Sequence, residues 1–247
     1  MGHTLPYQDI HQSLLKIWSN IYWLRNYLVQ YEVIADYADQ LNQDTGHFWG
    51  ITQKSALDSV VLNICKLFDE TSPHYEKDTI PSVIKYANKN LTTKLMIHLD
   101  LPLLRELQVS SRFFETYSHA LKDLSYYNNE PEEFVKFTTG LLHSIKESYL
   151  LGKSASLSEK GLGHHLERLF KYRNKVLAHQ EILDAFLKEQ LKSLPPLEEM
   201  NKIAIWAQNF CIFINRLFFP YEELPHFYPY AAGETRTVIR QFLGNSK

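Results

Sequence analysis

The residues of this chain best placed to do chemistry fall in KYRNKVLAHQE, residues 171–181. Arg173 and Asn174 form a polar pair, an apolar run follows, and His179 closes it. Taking ~100° per residue for an α-helix, Leu162, Leu166, Leu169, Phe170, Val176 and Leu177 all lie within about 60° of Arg173. The spacing therefore predicts an arginine at the centre of an apolar stripe. A guanidinium does not neutralise, so that placement is costly unless it meets carboxylates, phosphates or water. Two readings stand side by side: an arginine that snorkels or pairs with an acid inside the fold, and one held at a subunit seam or cleft for an anionic ligand. His179, six residues on, lies about 120° round on a straight helix. Either the helix ends or bends near Ala178, or the pair is completed across a two-fold axis.

Charge around the motif agrees with an anionic ligand. Between Lys160 and His179, five basic residues (Lys160, Arg168, Lys171, Arg173, Lys175) stand against one acid, Glu167, a formal +4 in a chain of net −2. The remainder thus carries −6, so the positive charge is local, and a local patch can concentrate phosphates. His164, His165 and His179 can add charge at mildly acid pH. The plain alternative is a solvated helix face with ordinary lysines and arginines.

Other chemistries lack their signatures. No GxxxxGK[ST], GxGxxG, HExxH or CxxC occurs, which leaves phosphate-loop, dinucleotide and common zinc sites without support. His164 and His165 point about 100° apart on a helix, and no carboxylate stands at the i+4 spacing of a ligand, so no metal and no cofactor is expected. Cys65 and Cys211 are far apart in apolar contexts and read as buried thiols of a reducing compartment.

The elements that must position the motif are helices. The 247 residues, 45% hydrophobic, suffice for one sizeable core, and nine glycines with ten prolines are few for a turn-rich β fold. Apolar residues recur at helical spacing nearly throughout. The pattern predicts helices over 7–40, 48–68, IPSVIKYANKN with Pro81 in its first turn, 103–126, Pro131 to about 150, the motif helix, a helix after SLPPLEE to about 219, and a last one near 234–242. Trp18, Trp23, Trp49 and Trp206 read as core aromatics. The expected organisation is an all-α antiparallel bundle over 1–220, followed by an aromatic, proline-punctuated C-terminal segment, 221–247, with a short helix. No apolar run approaches the ~18 residues of a membrane span, and MGHTLPYQDIHQ lacks the regions of a signal peptide. A soluble, cytoplasmic protein is expected.

RNKVLAH resembles the Arg-x4–6-His motif of the HEPN superfamily, in which a polar residue follows the arginine. Upstream, LNICKLFDETSPHYEKDTIPSVIKY is similar to the helix-end Leu-Phe-Asp, charged loop and short helix of its abortive-infection, AbiU-type branch. The resemblance covers roughly residues 10–220 and is strongest at 60–85 and 165–182.

It implies an all-α HEPN-like helical bundle with additional helices that dimerises through its motif helices and acts as a metal-independent endoribonuclease, in a toxin or phage-defence role. Arg173 takes the arginine's part, binding the scissile phosphate and stabilising its transition-state charge. His179 serves as general base or acid, and Asn174 orients the pair. Products ending in 2′,3′-cyclic phosphate and 5′-hydroxyl follow. Arg168, Tyr172 and Lys175 are the candidates to guide RNA by stacking and phosphate contacts, against ordinary amphipathic-helix surface. An antitoxin protein is a possible partner. The tyrosine that some members carry two positions after the histidine is Glu181 here, which argues against control by tyrosine nucleotidylation. A non-catalytic dimer binding RNA, nucleotide or protein through the same cleft is the alternative, and a structural scaffold is the third. An internal carboxylate for Arg173 would favour the scaffold.

Overall fold

The computed structural model describes residues 7–41, 45–69, 78–90, 101–107, 109, 111–118, 130–150, 161–177, 194–219, 221–226 and 230–245. All regular structure among them is helical: α1 (Tyr7–Asp36), α2 (Ala38–Leu41), α3 (Gly46–Phe68), α4 (Ile80–Asn90), α5 (Leu101–Glu106), α6 (Ser111–Thr116), α7 (Pro131–Leu150), α8 (Gly161–Tyr172) running into a π-helical turn (Arg173–Leu177), α9 (Leu197–Phe218) and α10 (Ala231–Asn245).

The centre is α1, whose apolar residues at three- and four-residue spacing, Leu14, Ile17, Ile21, Leu24 and Leu28, are all buried. Burying each such side chain contributes about 1.5–3 kcal/mol, which makes this stripe the seam around which α3 and α9 pack. Both lie antiparallel to α1. Gln53 Nε2 donates to Tyr31 O at 3.5 Å, while Arg25 Nη1 donates to Gln208 Oε1 at 2.7 Å and His11 stacks near Phe219. Helix starts follow local chemistry. Thr79 Oγ1 accepts from the Ser82 amide at 3.3 Å to cap α4, and Glu132 with Glu133 in the first turn of α7 face the positive end of its dipole.

Two departures from the sequence reading have physical causes, and the C-terminal segment adds contacts that the sequence reading did not address. Of the helix expected over 103–126, 119–126 lies outside the described residues and the remainder divides into α5 and α6. Between them stands buried, β-branched Val109, and α6 opens on Ser111, residues that favour a restart over continuation. Trp23, expected in the core, is 52% exposed, because it projects from the side of α1 away from the stripe, where its ring meets Tyr22 edgewise and Tyr27 tilted. Finally, the C-terminal segment is strapped to α1. Trp18 Nε1 donates to Pro225 O at 2.8 Å, the Ala231 amide donates to Asn26 Oδ1 at 3.2 Å, and Ile239 completes a second small core with Val33, Ile34, Leu41 and Trp49. No helix of the described residues is long and apolar enough to cross a membrane.

Candidate functional site

The motif helix α8 lies against α3, and its buried residues are His165, Leu166, Leu169 and Tyr172. On a helical projection their mean direction is about 50° from Arg173, so Arg173 stands at the margin of the buried face rather than at its centre. That corrects the sequence expectation. Its exposure, 26% for the side chain, fits a rim position where the guanidinium keeps part of its hydration.

A face of α3 grips the motif at two points. Asp58, Cys65 and Asp69, spaced i, i+7 and i+11, lie within about 40° on that helix, the two carboxylates ~16 Å apart along it. Tyr172 Oη donates to Asp58 Oδ1 at 3.1 Å, and Lys54 Nζ bonds the other carboxylate oxygen at 2.5 Å. Arg173 Nη1 donates to Asp69 Oδ1 at 2.7 Å. Two consecutive residues of α8 and its π turn thus reach two carboxylates three turns apart on α3. At the start of α9, Arg168 Nη2 donates to Leu194 O at 2.5 Å, and buried His165 lies 3.7 Å from Glu199.

The guanidinium is held on further sides. Its Nε donates to Asn174 Oδ1 at 3.1 Å, and its central carbon stands 4.9 Å from the centroid of the Phe170 ring, within cation–π range. Beneath the pair, Cys65 is buried, and desolvation pushes its thiol up to about 12 although the Arg173 charge pulls the other way. A thiol held that far from ionisation is neither nucleophile nor metal ligand. Burial, and after it the Asp58 carboxylate, likewise raises the Tyr172 phenol well above its ordinary range.

At Arg173 the winding changes. Residues 173–177 form a π-helical turn, in which each amide bonds five residues back rather than four, so one extra residue enters the turn. The straight-helix projection therefore stops applying at Arg173. His179 itself, with 178–193, lies outside the described residues.

The other expected site residues distribute unevenly. Asn174 and Lys175 are exposed beside Arg173, and Arg168 is half-buried against Leu194. Tyr172 is 0% exposed. A ring enclosed by the core cannot stack on a base, so its expected RNA-guiding role is corrected to an anchoring one. Asp58 was not singled out by the sequence reading, Phe170 entered it only as part of the apolar stripe, and Asp69 only within the Leu-Phe-Asp of the resemblance. Their signal was present in the three-turn spacing of the two aspartates, which places both on one side of α3, but nothing in the sequence pairs that side with Arg173.

An all-α fold that presents an Arg–Asn pair on a late helix is of the HEPN-like class. Comparison with protein families bears this out: the HEPN AbiU2 family matches residues 17–232. The chain belongs to that family. The match runs past Pro220 into the C-terminal segment that the sequence resemblance left uncovered. Comparisons with curated proteins and with solved structures give no match.

Proposed function

We propose that this chain is a metal-independent endoribonuclease of the HEPN type, a toxin or phage-defence effector that works as a homodimer. The observation that carries this reading is the state of Arg173: charged, a quarter exposed, and oriented by Asp69, Asn174 and Phe170. A side chain fixed in this way suits a phosphate oxygen in the transition state, where a preformed donor needs no reorganisation. His179, five residues beyond Asn174, takes the proton of the ribose 2′-hydroxyl or gives one to the leaving 5′-oxygen. The 2′-oxygen forms its bond to phosphorus as the bond to the 5′-oxygen breaks, leaving a 2′,3′-cyclic phosphate and a 5′-hydroxyl. Lys175 and Arg168 contribute positive charge beside the scissile group.

One observation favours a second reading. Asp69 gives Arg173 an internal carboxylate, which is what a structural scaffold needs. The decisive experiment is cleavage of total RNA by the purified protein in excess EDTA, beside Arg173→Ala and His179→Ala variants shown to fold. Cutting by the parent alone, with cyclic phosphate ends, is the expected result. A parent inert on every RNA tried, or variants that cut equally well, would transfer the site to the binding reading.

A further inference from the structure

Asp69 takes no part in the proton transfers of the proposed nuclease chemistry. It caps the C-terminus of α3 with φ −57° and ψ 136°, so the helix has ended there. The two residues before it, Leu67 and Phe68, are core residues. Its backbone is therefore anchored directly to the buried core. From that anchor one carboxylate oxygen reaches one guanidinium nitrogen at 2.7 Å, and both side chains stay about a quarter exposed (26% and 27%).

A quenching acid would do more. A carboxylate that neutralises an arginine takes two of its donors in a parallel fork and leaves the pair dry. Here Asp69 takes Nη1, Asn174 takes Nε, Phe170 lies against the guanidinium, and Nη2 has no acceptor among the described residues. Three contacts from three places fix the plane of the group while one amino nitrogen remains to meet an anion.

We infer that Asp69 is a positioning residue for Arg173: its carboxylate aims the guanidinium, so that Nη2 meets the scissile phosphate of RNA. This rests on the nuclease reading for the identity of the anion, whereas the aiming itself does not. Asn174 and Phe170 travel with the motif helix and its turn. Asp69 comes from α3, and it alone of the three ties the guanidinium to the body of the fold.

Two measurements test this together. In the first, the Arg173 Nε–H signal is followed by ¹⁵N relaxation and assigned with Arg173→Lys, in the parent, Asp69→Ala and Asp69→Asn proteins. The expected result is a rigid side chain in the parent, a mobile one in Asp69→Ala, and an intermediate one in Asp69→Asn, whose amide oxygen still accepts from Nη1. Equal rigidity in Asp69→Ala overturns the proposal whatever RNA does. In the second, cleavage kinetics on a defined RNA should show kcat reduced by about 10²-fold in Asp69→Ala, the scale of a ~1 Å misplacement, with KM little changed and partial recovery in Asp69→Asn. A parent that is rigid at Arg173 yet inert on RNA sinks the nuclease reading and leaves the aiming role standing. An Asp69→Ala enzyme as fast as the parent, or faster, shows that Asp69 quenches rather than aims.

Discussion

The side chains around the motif divide into those that anchor it and those that remain exposed. Tyr172 anchors: its hydroxyl bonds Asp58 from a buried position. Replacing it with phenylalanine removes one hydrogen bond to a charged acceptor that Lys54 still holds, so we predict a loss of about 1.5 kcal/mol in urea unfolding. The pH dependence has a definite sign. The folded-state phenol is raised above the ordinary tyrosine value, so its contribution is complete below about pH 10 and falls as pH rises above that, where only the unfolded chain ionises. Stability of the parent should decline in that alkaline range more than stability of Tyr172→Phe, as read by denaturant midpoints at a series of pH values. The cysteines give a further check. Cys65 is buried with its thiol pushed up to about 12, and Cys211 is enclosed and raised further by desolvation alone. Neither thiol should react with a thiol reagent at pH 8 until denaturant is added; prompt labelling of the native protein would contradict the packing.

Among the helices, the change of winding at residues 173–177 matters most for the site. Periodicity foresaw α3, α4, α7 and α9 because each has an uninterrupted apolar stripe and a clear start or stop. It assumed one pitch through the motif, however, and pitch is settled by packing against α3, where Tyr172 and Arg173 must reach two carboxylates at once. The last helix, α10, has a separate part. Its Ile239 is buried with Val33, Ile34 and Trp49 at the far end of α1. We predict that Ile239→Ala costs about 2–3 kcal/mol, at the low end for a large-to-small core change because the cluster is small. Amide exchange should rise first in α10 and leave α3 and α9 protected. Uniform loss of protection would mean that this second core is not a separable unit.

Taken together, the fold concentrates charge without being basic. A chain of net −2 carries five of its 26 lysines and arginines between residues 160 and 179. Three of them are already engaged: Lys171 with Glu167 at 2.6 Å, Arg173 with Asp69 at 2.7 Å and Arg168 with Leu194 O at 2.5 Å. Glu167 is fully exposed, and the hydrogen bond from Lys171 lowers its carboxyl below the ordinary range, so this pair is screened by salt and is weak in water. Under the proposed function, Lys175, Arg168 and Arg173 are the groups offered to phosphates. For single-stranded RNA we expect log affinity to fall with log salt at a slope of about −2, the value for three contacts. A slope near −7 would require a much larger basic surface than this one. Dimerisation through the motif helices, part of the proposed function, predicts sedimentation at about twice the chain mass of 29.0 kDa. A monomer at micromolar concentration would remove the two-fold completion of the site.

The sequence alone determined the helical class, most helix positions and the Arg173–Asn174 pair, because local periodicity and the unusual place of a charged residue are written in nearest neighbours. It also carried the Leu-Phe-Asp that ends α3, as a resemblance without a role. Folding supplied the rest. The approach of α3 to the motif turned Asp69 into the partner of Arg173, drew Tyr172 into the core, and rewound residues 173–177. Asp69 and Arg173 are 104 residues apart, and no local pattern encodes which faces of two distant helices meet. That choice is made by the fit of many apolar side chains at once, and here it decides whether a lone arginine is buried, quenched or aimed.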